Sequence, residues 1–452
     1  MSEQMDERHY VDHLITLLED RDYTALLNEL RSDNEVDIAL FMEALPDDET
    51  AFVFRMLPKE MGALVFAHLE PETQQQVIEA FTDEETTQML DQLFVDDAVD
   101  FLEEMPANMV NRILQLTNPD KRRIINRYLQ YPEDSAGSIM TAEYTRLKRN
   151  MTVARAITHL RTFGEDRETI YTCYVTDDQR FLEGVISVKT ILLADDREQI
   201  GDLMEPEVIQ VNTVMDREDV VKLFYKYDFL SIPVVDHENR LVGIVTIDDA
   251  VDVMREETTE DFQKMAAMAP SEKPYLKTSF WQHGMQRISW LFILMVSGMI
   301  NGIILEKNEA AFIAYPLLVS FIPMLTDTGG NVGSQSSTLM IRGMALGEIT
   351  FSDFFKVVLK ESATSLLMGA VLSTFNFIRV YLVYKDVMAA LVLALAMMAT
   401  IFMAAIIGGI LPLIAKKFKI DPAIMAAPLI TTIVDAAALA IYFAFAVSLL
   451  PI

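Results

Sequence analysis

The sequence predicts a multi-domain membrane protein. An all-α transmembrane domain of five helices follows a soluble, acidic part that joins a superhelical α-domain to a tandem α/β repeat. Three observations predict this class. Charge separates along the 452 residues: of 67 acidic and 37 basic side chains, nine and ten follow Ser279, so the front is near −31 and the back near +1. The front changes once, near residue 131, from helical periodicity to a repeated strand–helix pattern. The back holds five apolar segments, at about 288–305, 312–341, 354–384, 387–415 and 422–450, each long enough to cross a hydrocarbon core of roughly 30 Å. So acidic a front attracts cations and repels phosphate, which excludes nucleic acid as a partner and favours divalent cations.

Residues 1–130 read as a stack of short helices. Pro46, Pro58, Pro71 and Pro106 each follow an apolar turn and mark a helix start. Short helices in series, each with one apolar face, stack into a superhelix. One of them carries Asp96, Asp97, Asp100, Glu103 and Glu104; a charge cluster of this kind is expected as a solvated face.

Residues 131–200 and 201–260 repeat one pattern of strand, helix, strand, turn, strand, helix. The second copy runs IPVVD and then LVGIVTIDDAVDV. This resembles a tandem pair of CBS domains, which implies a cleft between the copies where ATP or another adenine nucleotide binds. Thr246 and Asp249 hold the T-x-x-D position that contacts a ribose in that family, whereas the first copy has Ser187 and Thr190 there and lacks the Asp. The single cysteine, Cys173, sits in the strand-like run TIYTCYV and is expected to be a buried apolar thiol. The charged beginning MSEQMDERHYVDHL has no apolar core, so no signal peptide is expected and the front half belongs in the cytosol.

The second repeat runs into the acidic helix DDAVDVMREETTEDFQKMA. Carboxylates at Asp249, Asp252, Glu256, Glu257, Glu260 and Asp261 recur at i,i+3 and i,i+4 spacing, where like charges repel unless a cation lies between them. Hard oxygen ligands suit Mg²⁺ or Ca²⁺. Residues 261–285 are read as an amphipathic connecting helix that approaches the bilayer with Lys273, Lys277 and Trp281, Arg287 following. The transmembrane domain then occupies 286–452. Arg287, Arg342, Lys356, Lys416, Lys417 and Lys419 fall on one side if the N-terminal domains are cytosolic and the C-terminus is outside, in a multi-pass protein of the cytoplasmic membrane.

The second span contains FIPMLTDTGGNVGSQSSTLMIRG. Pro323 would free a backbone carbonyl, and Gly329, Gly330 and Gly333 would permit close helix approach or unwinding. Asn331 and Gln335 add neutral polar groups at membrane depth, which is tolerated only against protein or a water-filled path. The fifth span carries Asp435, one turn after Thr431. A carboxylate in a span costs several kcal/mol against lipid, and no Lys, Arg or His shares that span, so a cation is its expected partner. Asp327 adds an acid just before the paired glycines, with a role left open. Glu361 is read as lying near the cytoplasmic end of its span beside Lys360.

The order is distinctive: acidic helical domain, CBS pair, connecting helix, five spans, P-x₅-GGN-x-G-x-Q in the second and Asp in the fifth. It resembles the MgtE family of magnesium channels over essentially the whole length. The resemblance implies a homodimer with its pore on the dimer axis, Asp435 holding hydrated Mg²⁺, and a connecting helix that blocks or releases the pore. It also implies that regulatory Mg²⁺ favours the closed state, with Gly137, Glu218, Asp228, Asp249, Asp252, Glu257, Glu260 and Asp261 in the family's sensor positions. Asp97 and Asp100 are the candidates from the helical domain. The expected function is thus a Mg²⁺-selective channel rather than an enzyme, gated shut by intracellular Mg²⁺. The alternatives are a proton-coupled divalent-cation carrier with Asp435 titrating, and a membrane sensor of divalent ions that transports nothing.

Overall fold

Prolines do open helices where the spacing places them. Pro46, Pro58 and Pro106 stand immediately before α4 (Asp47–Phe54), α5 (Lys59–Ala67) and α9 (Ala107–Leu116), and Pro71 is the first residue of α6 (Pro71–Ala80). In this computed structural model, which describes residues 3–271 and 275–450, the contacts divide the chain into two units, Met1–Val253 and Met254–Ile452.

The first unit begins with ten helices. Besides those named, they are α1 (Glu3–Glu19), α2 (Tyr23–Leu30), α3 (Glu35–Glu43), α7 (Asp83–Gln92), α8 (Val95–Glu103) and α10 (Pro119–Tyr128). Asn34 caps α3, and Thr82 with Glu85 forms a capping box on α7, so the short helices start where the backbone donors are satisfied. Edge-to-face rings run through the stack: Phe54 lies 5.5 Å from Phe81 and 6.2 Å from Phe66, which is 5.0 Å from Phe101.

The two repeats follow with one shared topology. β1 (Tyr144–Leu147) pairs parallel to β2 (Thr169–Thr176), which pairs antiparallel to β3 (Leu182–Ser187). In the second copy β4 (Val211–Asn212), β5 (Ser231–Val235) and β6 (Leu241–Thr246) repeat that order. Helices α11 (Val153–Phe163) and α12 (Val188–Leu193) flank the first sheet; α13 (Ile200–Leu203) precedes the second, and α14 (Arg217–Tyr227) joins its first two strands. Gly184 and Gly243 occupy equivalent places in the two copies. A Cβ at either would stand 2.9 Å from the Glu205 carbonyl oxygen or 2.7 Å from that of Thr141. The Tyr174 hydroxyl meets that of Ser231 at 2.7 Å and ties the copies together. Cys173 is buried in β2, where desolvation pushes its thiol up to about 12, as an inert core thiol should be.

The acidic helix α15 (Ile247–Met265) extends past the second repeat. The helix expected over 261–285 is divided: α15 stops at Met265, Ala267 takes a positive φ of 54°, and α16 (Phe280–Lys307) begins anew on a Ser279–Gln282 capping box. Pro270 and the strong cap at Ser279 account for the break. Lys273 lies outside the described residues.

Four helices are long and apolar enough to cross a membrane, over Phe280–Lys307, Phe351–Tyr384, Val387–Lys417 and Pro422–Leu449. They contain α16, α19 (Phe354–Tyr384), α20 (Val387–Lys417) and α21 (Ala427–Leu449). The fifth expected span is more broken than its hydropathy suggests. Residues 312–341 form α17 (Glu309–Ala314), a 3₁₀ turn over Pro316–Phe321, and α18 (Ile322–Ala345), whose 24 residues measure about 36 Å. Pro323 lies in the first turn of α18, where no intrahelical donor is lost, so it starts a helix and frees no carbonyl inside one.

The helix does not unwind at its glycines; they bring it close to α20 and α21. A Cβ on Gly329 would lie 2.7 Å from Thr400 Cγ2 and 2.9 Å from Val434 Cγ1, and one on Gly333 would lie 2.7 Å from Ile430 Cγ2. Gly408 of α20 faces the Gly333 carbonyl so closely that no Cβ fits. Gly408→Val is therefore expected to cost about 1–3 kcal/mol by overpacking and to lower the Tm of the lipid-reconstituted protein. Gly298→Ala, where a Cβ meets nothing within 4 Å, should leave melting unchanged. Equal thermal melting of the two variants would contradict this packing.

Candidate cation sites

In the membrane domain, the α18 glycines that face α20 and α21 leave a polar edge on another side. Asp327, Asn331 and Gln335, at i, i+4 and i+8, are all exposed along it, although Val332, Gly333 and Ser336 beside them are buried. Asp435 is half-exposed on α21, and Asp327 lies within electrostatic reach of it. No ion pair joins Asp435 among the described residues. The arrangement presents two carboxylates and two side-chain amides, oxygen-rich groups that suit a hard cation keeping much of its water. Thr431 contributes differently than expected. Its hydroxyl donates to the Pro428 carbonyl at 2.9 Å, and its methyl is what a Cβ on Gly330 would meet, at 2.9 Å. It packs the two helices together.

The second site lies in the first unit, and its burial overturns the solvated face expected of the acidic cluster on α8. Val95, Ala98, Val99, Phe101 and Leu102 anchor that helix in the core. This carries Asp96 inward to 8% exposure, with its Oδ1 lacking any hydrogen-bond partner, whereas Asp100 stays exposed. Asp96 and Asp97 there come within electrostatic reach of Glu143 and Glu168 beside the first sheet and of Asp248 and Asp249 in the first turn of α15. The strand pairing brings Glu143 and Glu168 together: the Glu168 amide donates to the Glu143 carbonyl at 2.9 Å. Thr141 donates to the Glu143 carboxylate at 2.9 Å, and Thr246 to that of Asp249 at 2.5 Å.

Burial, followed by mutual repulsion, raises these carboxyls. Asp96 is held well above the ordinary range by desolvation, with Asp97, Asp249, Glu168 and Glu143 adding. Glu168 is pushed up to about 8 by burial and then by Asp249, Asp248, Asp97 and Glu143. Asp249 rises to about 7 through burial, against the Thr246 hydrogen bond and with help from Asp248 and Asp97. Asp97 rises to about 6 through burial, with His68 and Lys121 opposing. Lys121 is an internal counter-charge, its ammonium donating to the Leu90 carbonyl at 2.6 Å and to that of Leu93. Such a cluster is under-neutralised, and a divalent cation is the partner its chemistry fits.

The other expected sensor residues are dispersed. Glu218 pairs with Lys222 of its own helix at 3.1 Å, and Asp228 ends α14 in the left-handed conformation. Gly137 is explained by packing: its Cβ would stand 2.5 Å from Tyr131 Cγ. Asp252 is exposed, and Glu257 and Asp261 are half-buried further along α15. Within the second unit Lys264 stands between Glu260, at 2.6 Å, and Asp421, at 2.7 Å. Burial works against its charge, but Asp421 and Glu260 hold the ammonium above its ordinary range. Among the described residues, no three His, Cys, Asp or Glu side chains already form a preassembled metal-ligand set.

Family models match three parts of the chain. The MgtE divalent cation transporter model covers residues 322–445, the MgtE intracellular N domain 34–134, and a CBS domain 200–256. The magnesium transporter MgtE of Thermus thermophilus is 36% identical over 435 residues, 95% of this chain and 96% of that protein. The chain belongs to the MgtE family of divalent cation transporters. The Bacillus subtilis MgtE is 32% identical over 99% of this chain and 98% of its own length. A crystal structure of the cytosolic domain of the Mg²⁺ channel MgtE in complex with ATP aligns with 54% of this chain and 99% of its own, at a TM-score of 0.52 and 35% identity. The soluble part of a magnesium transporter aligns with 56% of this chain and 99% of its own, at 0.53 and 28%. MgtE membership accounts for both halves at once, the apolar helices and the acidic front.

The raised carboxyls set a pH dependence. In the unfolded chain they titrate near 4, whereas the folded values for Asp97, Asp249 and Glu168 are about 6, 7 and 8. Between those limits the folded state binds more protons, so stability is highest at the acid end and falls as pH rises from about 4 to 8. In EDTA, the Tm of the cytosolic unit within the whole chain should therefore drop between pH 6 and pH 8. Asp96→Asn should raise it at pH 8 by several degrees, and added Mg²⁺ should do the same for the wild type. A Tm that rose with pH in EDTA would refute this cluster.

Proposed function

We propose that the chain is a Mg²⁺-selective channel of the cytoplasmic membrane, gated shut by intracellular Mg²⁺ that binds among its acidic cytosolic carboxylates. The observation that carries this reading is the pairing of two under-neutralised acidic sites in one chain. One, Asp435 with Asp327, Asn331 and Gln335, is built on helices of the membrane domain; the other, around Asp96, Asp97 and Asp249, is built in the soluble unit. Mg²⁺ sheds its water reluctantly, so a site that accepts the hydrated ion through one or two carboxylates lets it both enter and leave. In the soluble unit, repulsion opens the acidic surfaces when ions are scarce, and bound cations favour the closed state by their preference for it. The two relatives named magnesium transporter MgtE support Mg²⁺ as the ion.

The working unit is a homodimer, each copy contributing its α18 and α21 to a shared pore, with N-terminal domains in the cytosol and the C-terminus outside. Basic residues support that topology. Arg342 ends α18, Lys356 begins α19, and Lys416 and Lys417 end α20. Asp97, Asp100, Gly137, Glu218, Asp228, Asp249, Asp252, Glu257, Glu260 and Asp261 form the regulatory set, to which Asp96, Glu143 and Glu168 are added. The Thr246–Asp249 pair remains the contact for the ribose of ATP or another adenine nucleotide.

Asp435→Ala should reduce Mg²⁺ uptake into proteoliposomes to that of empty vesicles; uptake as in the wild type would leave only a sensor. Discrete current steps at fixed pH in single-channel recordings distinguish a channel from a proton-coupled carrier. Neutralising Asp249, Asp252 and Glu257 together should keep the channel conducting at millimolar cytosolic Mg²⁺, and normal closure of that triple variant would refute the gating assignment.

A further inference from the structure

One face of α19 is turned into the protein for most of the membrane's thickness, and it is polar. Its buried residues include Glu361, Ser365, Ser373 and Asn376, separated by Gly369. Glu361 and Asn376 are fifteen positions apart, about 22 Å along a helix and most of a hydrocarbon core of roughly 30 Å. Side chains on a span normally turn polar groups away from lipid only when something inside receives them.

At the inner end the receiver is visible. The expectation that Glu361 lies at the cytoplasmic end beside Lys360 does not describe its surroundings. It is 8% exposed, and its Oε2 accepts a hydrogen bond from the Ser336 hydroxyl of α18 at 2.7 Å. Gly409 of α20 makes room for it, since a Cβ there would stand 3.0 Å from Glu361 Cγ. No ion pair reaches this carboxyl among the described residues, so a neutral hydroxyl is its named partner.

Toward the other end the receivers are missing. Asn376 is 2% exposed, and neither its amide nitrogen nor its oxygen has a hydrogen-bond partner. Ser373 Oγ, one turn before it, and Thr400 Oγ1 of α20 are also buried and unpaired. Thr400 directs its methyl at Gly329 of α18, which places the same threonine where α18, α19 and α20 meet. Each unmet polar group buried in this way costs about 1–3 kcal/mol. Three such residues in one seam, ending at a carboxyl with one neutral donor, share a single chemical requirement. It is a small ligand that both donates and accepts.

We propose that the seam between α18, α19 and α20 is an internal water-binding site within each protomer. A short file of water molecules is held by Asn376, Ser373 and Thr400 and runs toward the Ser336–Glu361 pair. Water meets the requirement because it makes two to four hydrogen bonds and a buried polar pocket binds it strongly. Residues i and i+3 on a helix, as Ser373 and Asn376 are, stand about 5–6 Å apart at Cβ, a separation one water bridges. The seam is closed to bulk solvent at Asn376, so it is a resident hydration site apart from Asp435. It stands whether or not Asp435 conducts.

The test uses the full-length chain in lipid nanodiscs. A density map that resolves water should show ordered water within hydrogen-bond distance of Asn376, Ser373 and Thr400; direct pairing of those atoms with protein groups and no water between would overturn the proposal. Thermal melting supplies the second readout. Thr400→Val and Ser373→Ala should each lower the Tm by several degrees, and Ser373→Ala with Asn376→Leu should lower it by less than the sum of the two, because they share waters. If the seam were dry, Thr400→Val and Asn376→Leu would leave the Tm unchanged or raise it, since an unmet polar group would have been replaced by an apolar one of similar size. That result would sink the idea. Thr400→Val alone decides the matter should the Asn376 variant fail to fold.

Discussion

A carboxylate withdrawn from water without a matching positive charge is the constraint on which this structure turns. Asp435 meets it in the membrane, and Asp96 meets it inside the soluble unit. The desolvation penalty on such a group is several kcal/mol, and it is relieved only by a cation, by hydrogen bonds or by giving up the charge. Elsewhere the protein supplies the cation itself: Lys264 stands between Glu260 and Asp421, and Arg112 pairs with Asp83 at 2.6 Å. At the two candidate sites no such pairing is completed. Lys121 offsets the soluble cluster in part, its ammonium being held by the carbonyls of Leu90 and Leu93.

The contrast between these local solutions assigns work to the chain's two halves. A carboxylate satisfied by its own lysine is indifferent to the ions around it. One held beside like charges responds to them, because each cation bound removes repulsion that the fold has concentrated. The soluble cluster concentrates it through tertiary contacts between a helix of the first domain, the first repeat's sheet and the start of α15. An ion there acts on several elements together, which is what a conformational equilibrium requires of its ligand.

Packing imposes the complementary demand in the membrane domain. α18 has too many small and polar residues to stand against lipid, so it approaches α20 and α21 through Gly329, Gly330 and Gly333 and meets α19 through Ser336. Close approach at the glycines satisfies dispersion contacts where no side chain intervenes. The edge bearing Asp327, Asn331 and Gln335 is what remains after three faces are used. The polarity of α18, which excludes it from the helices apolar enough to span by composition, is thus the property that makes it useful.

Much of the fold was legible because it follows from local rules. Prolines at helix starts, a repeated strand–helix pattern around IPVVD, and long apolar runs each act within a few residues, so the ten short helices, the paired sheets and the membrane helices are encoded in sequence. So was Asp435, since a lone acid in an apolar run is conspicuous without any structure. Helix boundaries were less legible. The break after Met265 and the 3₁₀ turn over Pro316–Phe321 interrupt segments whose average hydropathy or amphipathicity is continuous. Three-dimensional proximity was not legible at all. Glu143 and Glu168 are isolated acids beside strands, and only strand pairing brings them to Asp96, which spacing alone had left on a solvated face. Glu361 looked like an end-of-span residue until Gly409 and Ser336 were found around it. The sequence by itself determined which residues are costly to bury, because that depends on side-chain chemistry and local context. Only the tertiary structure decided which of those costs fall together, because the fields of several charges add only where the fold makes them neighbours.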